Sequence, residues 1–297
     1  MVDAGGISPE LHEVAGKLTI VSTHYMDQRV QFLWLSLLGL IAGGYGTIVG
    51  AGGGFIIAPV LLFMYPTTAP ETITTISLAV VFANALSGTL AYAHSKRIDY
   101  SNGIIFSLAA APGAVLGAVT TTTLHRARFD LLFGALMICV AVFLSCGPPE
   151  PGRESALAAE NKSKFNIPNL LKFNIPNLLL SAGVSTSLGF ISSFFGVGGG
   201  FLYVPALVYL LRLSVHTATA TSLFILLVTA FTGSVTHFAA GLFKHGMRPA
   251  IVLSFAAIIG AQIGARFSEK IETKWIIRGL TFALGLIGLR LVVTSVF

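Results

Sequence analysis

A series of long apolar runs, from which charged residues are excluded, is the feature that most constrains this chain. The runs recur near residues 31–50, 72–93, 103–124, 129–146, 176–197, 217–240, 249–266 and 275–296. Each has about the length that a helix needs to cross a bilayer, roughly 20 mainly apolar residues. All twelve carboxylates lie in tails, in loops or at the ends of runs, as the cost of burying a charge in hydrocarbon requires. The pattern predicts an all-α polytopic membrane protein and fits no water-soluble class.

Composition supports the same fold class and limits the partners. Only 10% of the residues are Asp, Glu, Lys or Arg, against roughly a quarter in soluble domains. The net charge of +6 favours loops that lie against anionic lipid headgroups. The basic residues form no cluster interleaved with aromatic residues, which disfavours nucleic acid as a partner. We therefore expect a multi-pass protein of the inner (plasma) membrane that contacts lipid and a small solute.

The two halves of the chain resemble each other. The segment Gly50–Pro59, GAGGGFIIAP, aligns with Gly196–Pro205, GVGGGFLYVP, and further matches keep an offset of 145 to 147 residues. Internal repeats around a shared midplane site are typical of secondary transporters. The alignment predicts an extramembrane tail, a first membrane repeat, a polar linker and a second membrane repeat, with the boundaries 1–30, 31–146, 147–172 and 173–297.

The first apolar segment of each repeat is too long for one crossing. From Gln31 to Tyr65 the apolar stretch has 35 residues, which is about 50 Å of helix against about 30 Å of hydrocarbon. The helix must therefore break, and the glycines at 50–54 allow it. If the chain turns back there, each half crosses an odd number of times and the halves are inverted; if it continues, each half crosses four times and the halves are parallel.

The distribution of basic residues does not decide between these two arrangements. With Arg278 and Arg290 inside the last span left out, both give ten Lys and Arg residues on one side and six on the other. Both also put the linker in the cytoplasm by the positive-inside rule. Length alone favours the inverted arrangement. The fold prediction is thus a bundle of about 8–10 transmembrane segments in two homologous repeats, each with its first apolar segment broken at a glycine-rich turn.

The glycine-rich breaks are the first candidate binding site. A helix that starts after each break presents unpaired N–H groups and about half a positive charge. Two such starts that meet near the midplane would form an anion site without any arginine. The alternative is that these glycines only allow close helix packing. The predicted substrate-binding residues at the breaks are Gly52, Gly53, Gly54, Phe55, Gly198, Gly199, Gly200 and Phe201.

The same motifs carry a family resemblance. The paired G-x-G-G-G-F-x-x-x-P segments, with SLAVVFANALSGT in the first half and TSLFILLVTAFTGS in the second, resemble the TauE/SafE family, also called the toluene sulfonate uptake permease group. The likeness covers residues 31–146 and 176–296. It implies a transporter of about eight spans for sulfite, sulfonates or related small sulfur-containing or carboxylate anions. The tandem copies of KFNIPNLL at 164–171 and 172–179 fall outside the family pattern.

Polar residues inside the spans extend the candidate site. Ser77 and Ser222 occupy matching positions of the two repeats, and Asn84 is a mid-span amide that is costly to bury without a partner. These side chains are predicted to donate to substrate oxygens, although hydroxyls in membrane helices also bond to their own backbone. His94 and His237 lie near span ends, where an interfacial position is the favoured interpretation and a proton-carrying role the alternative.

Several functional classes find no support in the sequence. No nucleophile–base set, metal-ligand cluster or Walker motif is present, so we expect no cofactor and no enzymatic activity. The only cysteines, Cys139 and Cys146, are interpreted as buried side chains of one span. The spans contain no carboxylate to couple transport, and a proton or a sodium ion held by backbone carbonyls is the expected coupling ion. A secondary anion transporter is the leading hypothesis, with an anion channel and a membrane scaffold subunit as alternatives.

Overall fold

The computed structural model describes residues 9–65, 67–145, 175–242, 247–268 and 273–296. The predicted linker 147–172 and Cys146 lie outside the described residues, as do the first eight residues of the tail. The described residues form ten α-helices and no strand. In chain order these are α1 (Pro9–Val49), α2 (Gly54–Met64), α3 (Pro70–His94), α4 (Tyr100–Thr121), α5 (Arg126–Ser145), α6 (Ile175–Phe195), α7 (Gly200–Leu211), α8 (Val215–Ala239), α9 (Met247–Phe267) and α10 (Thr273–Val296).

The all-helical membrane fold predicted from the sequence is confirmed. Among the described residues, five helices are long and apolar enough to cross a membrane: the Arg29–Val49 part of α1, and α3, α4, α8 and α9. Helix α1 begins at Pro9, so a helix occupies most of the predicted tail 1–30. Its apolar part starts at Arg29, close to the predicted end of that tail.

Both glycine runs break the helix, as predicted. Helix α1 ends at Val49 and α2 begins after Gly53, whose φ is 73°. In the same way α6 ends at Phe195 and α7 begins after Gly199, whose φ is 59°. These angles lie in the left-handed region, which glycine adopts without the steric cost that a Cβ would bring. The chain therefore changes direction at both positions.

At each break the chain turns back along the helix it has just left. Gly53 packs against the backbone of Ala42, and twelve residues later the Tyr65 hydroxyl accepts a hydrogen bond from Gln31 Nε2 at 2.5 Å. Helix α2 thus returns towards the end at which the apolar part of α1 begins. Helix α7 does the same, because Gly199 lies beside Ser192 and the Tyr203 hydroxyl donates to the Ser185 carbonyl at 3.2 Å.

The helices of the first half of the chain pack mainly against helices of the second half. Helix α1 lies along α9, α4 along α6, and α5 along α10, while α3 contacts both α8 and α9. Glycines allow the closest approaches. A Cβ added to Gly43 would lie 2.5 Å from the carbonyl oxygen of Ala257, and one added to Gly117 would overlap the carbonyl oxygen of Phe190. The two halves are therefore interleaved and do not form two separate bodies.

The residue pairs at these contacts give the helix directions. Thr75 meets His237 near the start of α3, and Gly88 meets Leu223 near its end, so α3 and α8 run antiparallel. Helices α5 and α10 are also antiparallel, because Gly134 lies beside Val292 and Gly285 beside Ala141. In contrast, the seams α1–α9 and α4–α6 join helices that run in the same direction.

A cluster of phenylalanine rings anchors the second break. Phe194 and Phe195, the last residues of α6, pack on Phe129 and Phe133 of α5, with ring centroids 5.8 Å apart for Phe129–Phe194 and 5.1 Å for Phe133–Phe195. Buried aromatic pairs of this kind are among the strongest packing contacts in a core. The cluster fixes the end of α6 and therefore the starting point of the Gly196–Gly199 turn.

Candidate functional site

The two glycine-rich breaks meet at the centre of the helical bundle. A Cβ added to Gly54 would lie 2.5 Å from the carbonyl oxygen of Val197, and one added to Gly200 would overlap that of Gly50. The rings of Phe55 and Phe201 follow directly, with centroids 6.3 Å apart. All eight glycine and phenylalanine residues predicted at the breaks are buried. The structure thus brings the starts of α2 and α7 into contact.

Helices α3 and α8 cover the breaks with apolar side chains. Val81 of α3 lies within contact distance of Gly54 and Gly198, and Leu226 of α8 lies within contact distance of Gly52 and Gly200. Val81 and Leu226 were not predicted as site residues. The repeat alignment could have identified them, because they occupy matching positions in the two aligned halves, 145 residues apart.

Several backbone N–H groups at the two helix starts have no acceptor in the part of the chain that the structure describes. The N–H groups of Ile56 and Ile57 donate to the Gly53 carbonyl, as those of Leu202 and Tyr203 do to the Gly199 carbonyl. Four other N–H groups of the first turns have no acceptor within the described residues. Gly53 and Gly199, which precede the two helices, provide no side-chain cap. These four groups belong to Gly54, Phe55, Gly200 and Phe201. Unpaired N–H groups at a helix start attract anions.

Ser77 and Ser222 are both buried, but their hydrogen bonding differs. The Ser222 hydroxyl lies 2.8 Å from the carbonyl oxygens of Gly50 and Thr219 and shares its single proton between them. It therefore ties α8 to the first break. The Ser77 hydroxyl is 0% exposed and has no partner among the described residues.

Asn84 is fully bonded to the protein. Its Nδ2 group donates to the carbonyls of Gly43 at 2.9 Å and Ala257 at 3.4 Å, and its Oδ1 accepts from the Thr47 hydroxyl at 3.3 Å. The amide thus joins α3 to α1 and α9. An amide whose two protons are already donated has none left for an anion, so a positioning role fits the geometry better than the predicted ligand role.

Two side chains lie in environments that the sequence did not predict. His237 is 1% exposed, and its Nδ1 pairs with the Thr75 hydroxyl across the α3–α8 contact, so the interfacial interpretation was wrong for it. The reason is that α3 covers the last turn of α8. His94, at the end of α3, is exposed. Cys139 is also exposed, against the expectation of burial, because it lies on the uncovered face of the outer helix α5.

A surface cavity of about 380 Å³ lies at the start of α3. It is lined by residues 67–71 and 122–126. The guanidinium group of Arg126, in the cavity wall, is held by the protein. It pairs with Asp130 at 2.8 Å and donates to the carbonyls of Leu62 and Thr68. Glu71 in the cavity wall is six residues from Ser77, about 9 Å along a helix. The lining of the cavity does not include the glycine breaks.

Comparison with known proteins identifies the class. The sequence model of the family described as sulfite exporter TauE/SafE matches residues 35–291. This range includes both breaks and the helices α3 and α8 that cover them, so the chain belongs to the TauE/SafE family. The resemblance seen in the motifs is confirmed. No solved structure matches the chain.

Individual relatives agree with this assignment. The probable membrane transporter protein YunE of Bacillus subtilis is 32% identical over 281 residues, which cover 90% of this chain and 100% of the relative. A probable membrane transporter protein of Xylella fastidiosa is 31% identical over 185 residues, covering 62% of this chain and 65% of the relative. One from Methanocaldococcus jannaschii is 25% identical over 268 residues, covering 86% and 93%. The chain is thus a multi-pass membrane transporter of a prokaryotic plasma-membrane family.

Proposed function

We propose that this protein is a secondary transporter of small anions, with sulfite, organic sulfonates and related sulfur-containing or carboxylate anions as candidate substrates. One observation carries the proposal: the starts of α2 and α7 touch each other at the centre of the bundle, and both have N–H groups without an acceptor among the described residues. Two helix starts together offer an anion the positive ends of two dipoles. An enzymatic activity is not part of the proposal.

The proposed site binds with neutral groups. Its walls are backbone, the rings of Phe55 and Phe201, and the side chains of Val81 and Leu226. A Lys or Arg at this depth would hold an anion in a strong ion pair, because the low dielectric hardly screens the attraction. Neutral donors bind more weakly and allow release on the other side of the membrane, which transport requires. The cavity at the start of α3 is the proposed approach.

The membrane repeats 31–146 and 173–297 are proposed to be inverted. Helices α3 and α8 are equivalent in the sequence alignment and run antiparallel, as do the equivalent helices α5 and α10. A two-fold axis in the membrane plane reverses the direction of equivalent helices, whereas an axis along the membrane normal preserves it. The helix directions therefore support the inverted arrangement that length favoured.

A thermal-shift screen of the purified protein tests the anion specificity. Sulfite, thiosulfate, sulfate, methanesulfonate and acetate are compared with matched sodium chloride. A ligand that binds the folded state raises Tm by mass action, equivalent to about 2.7 kcal/mol at a hundred times its Kd. We expect at least one sulfur oxyanion to raise Tm. Stabilisation by a neutral sugar or a cation, with no response to any anion, would contradict the proposal.

Flux into reconstituted vesicles separates the transporter from its alternatives. Uptake that saturates with substrate and depends on a proton or sodium gradient supports secondary transport. An ohmic current that rises linearly with voltage and concentration would indicate an anion channel. Binding without any flux would favour a scaffold subunit.

A further inference from the structure

Three buried hydroxyls around the second break have no hydrogen-bond partner among the described residues. Ser77, Ser192 and Ser193 are each 0% exposed, and each hydroxyl oxygen is unpartnered. Buried polar groups in native structures are nearly always paired, so an unpartnered one needs an explanation. Three of them beside one turn call for a common explanation.

Contacts place Ser192 at the turn between α6 and α7, and Ser193 and Ser77 on helix faces next to it. Ser192 lies beside Gly199, since a Cβ added to that glycine would be 3.1 Å from the Ser192 hydroxyl. Ser193 lies between α6 and α8, where a Cβ on Gly233 would be 2.8 Å from its hydroxyl. Ser77 belongs to the face of α3 that touches the break. On this face Thr74, three residues before Ser77, contacts Gly196, and Val81, four residues after it, contacts Gly198.

The matching positions at the first break are bonded. Ser222, which aligns with Ser77, bonds to the Gly50 carbonyl. Thr47, which aligns with Ser193, donates to Asn84. Tyr92 aligns with His237. The Tyr92 hydroxyl donates to the Thr47 carbonyl at 3.2 Å. The Nε2 of His237, in contrast, has no partner among the described residues.

The position that matches Ser192 has no side chain at all. It is Gly46, where an added Cβ would overlap the backbone nitrogen of Gly53. The first break therefore has no room for a hydroxyl at the point where the second break has one. The two turns share a backbone shape and differ in the polar groups around it.

We propose that the side-chain contacts to the anion come from the second break, through the hydroxyls of Ser77, Ser192 and Ser193 beside the N–H groups of the two helix starts, while the hydroxyls at the first break are structural. This inference rests on the proposed function and on the alignment of the two halves. An oxyanion with three oxygens, such as sulfite or a sulfonate, offers one acceptor to each hydroxyl. The acceptor positions of a carboxylate lie close to one plane, whereas the three oxygens of sulfite or a sulfonate point in three directions, so hydroxyls that come from two helices favour sulfur oxyanions over carboxylates.

Two measurements on matched variants test this asymmetry. The second-break variants are Ser77→Ala, Ser192→Ala and Ser193→Ala; the first-break controls are Ser222→Ala and Thr47→Val. For each purified protein, Kd is measured by titration with sulfite, methanesulfonate and acetate, and Tm is measured without ligand. Each second-break variant should weaken sulfite and methanesulfonate binding about tenfold, and the triple variant should bind neither. Their ligand-free Tm should be unchanged or raised, because removing an unpartnered buried hydroxyl removes a cost.

The controls should show the opposite pattern. Ser222→Ala and Thr47→Val remove hydrogen bonds that the structure contains, so they should lower Tm and leave Kd within about threefold. Equal losses of affinity in both sets would overturn the asymmetry and leave the anion transporter standing. Unchanged affinity in the triple variant would show that the hydroxyls hold only water, and would also overturn it. A parent protein that binds none of the three anions would remove the proposed function itself.

Discussion

Glycines serve two different purposes in this protein, at the two breaks and along the helix–helix seams. Gly53 and Gly199 cap short helices with left-handed φ angles of 73° and 59°. Gly260 on the α1–α9 seam and Gly113 on the α4–α6 seam lie within regular helices, where a Cβ would overlap the backbone of the partner helix. The first group is needed for the direction of the chain, and the second for the distance between helices.

The two groups of glycines bear on an alternative that the sequence left open, namely that the break glycines serve only to pack helices. Close packing by glycine occurs on the seams and also at Gly54 and Gly200 of the breaks, but only the breaks also need glycine for a positive φ. Break and seam substitutions should therefore fail in different ways. A change at a break should act on transport, and a change at a seam should act on stability.

Valine at a cap position should give the largest loss. Gly53→Val and Gly199→Val introduce a β-branched side chain at a positive φ, at a strain of about 1–3 kcal/mol. The new Cβ would also lie 2.7 Å from the Ala42 carbonyl oxygen or 2.8 Å from the Ser192 Cβ. We expect near-complete loss of anion uptake into vesicles at matched protein levels.

The control for these variants is a glycine in open space. Nothing lies within 4 Å of a Cβ added to Gly183 of α6, so Gly183→Ala should transport like the parent. If both valine variants also transported like the parent, the breaks would be needed for packing alone and the proposed site would be in the wrong place.

A seam substitution should lower stability with less effect on transport per folded molecule. In Gly260→Ala the methyl group would overlap the Leu40 carbonyl oxygen, so α1 and α9 must separate. Overpacking of this kind costs about 1–3 kcal/mol, and Tm should fall by several degrees in detergent. The matched change Gly285→Ala should leave Tm unchanged, because the nearest atom to its Cβ is 3.7 Å away on Ala141. An unchanged Tm for Gly260→Ala would mean that the seam is not closely packed.

Asn84→Leu should have an intermediate effect that is mainly structural. It removes hydrogen bonds to two backbone carbonyls and leaves those buried groups unpaired, at about 1–3 kcal/mol. Thr229→Val is the matched variant, since Thr229 aligns with Asn84 and bonds only to carbonyls of its own helix. Tm should fall clearly in the first variant and only slightly in the second. A loss of sulfite affinity without a loss of Tm would instead return Asn84 to the role of a ligand.

The smallest effect is expected at the periphery. Cys139→Ala changes an exposed side chain on the uncovered face of α5. Changes of this kind usually shift stability by about 0.5 kcal/mol or less. Uptake and Tm should both match the parent. A marked loss of either would show that the outer face of α5 contacts something in the membrane.

The sequence predicted the helical membrane fold and both breaks because these depend on local properties. Apolar length and the position of the glycine runs are enough to show that one helix cannot continue through Gly50–Gly54. The partners of Asn84 were not predictable in this way. They are backbone groups of Gly43 and Ala257, which come together only when α1 packs on α9. The residues next to Asn84 in the sequence do not predict that contact.

The environment of His237 was missed for a related reason. A histidine at the end of a helix is expected to be exposed, as His94 is. His237 is not, because the start of α3 extends past it and supplies Thr75 as a partner. The unpartnered hydroxyls of α6 were missed as well, since Ser192 and Ser193 in the sequence resemble any other pair of small residues in a membrane helix.

The interleaving of the two halves also sets the order in which the protein can be completed during its synthesis. Gly43 of α1 packs against Ala257 of α9, and at a synthesis rate of about 5–20 residues per second α1 waits roughly 10–40 s for this partner. Helix α5 waits in the same way for α10. Until then the glycine-rich face of α1 contacts lipid or the insertion machinery. A nascent chain interrupted before α9 would therefore leave this face without its partner helix.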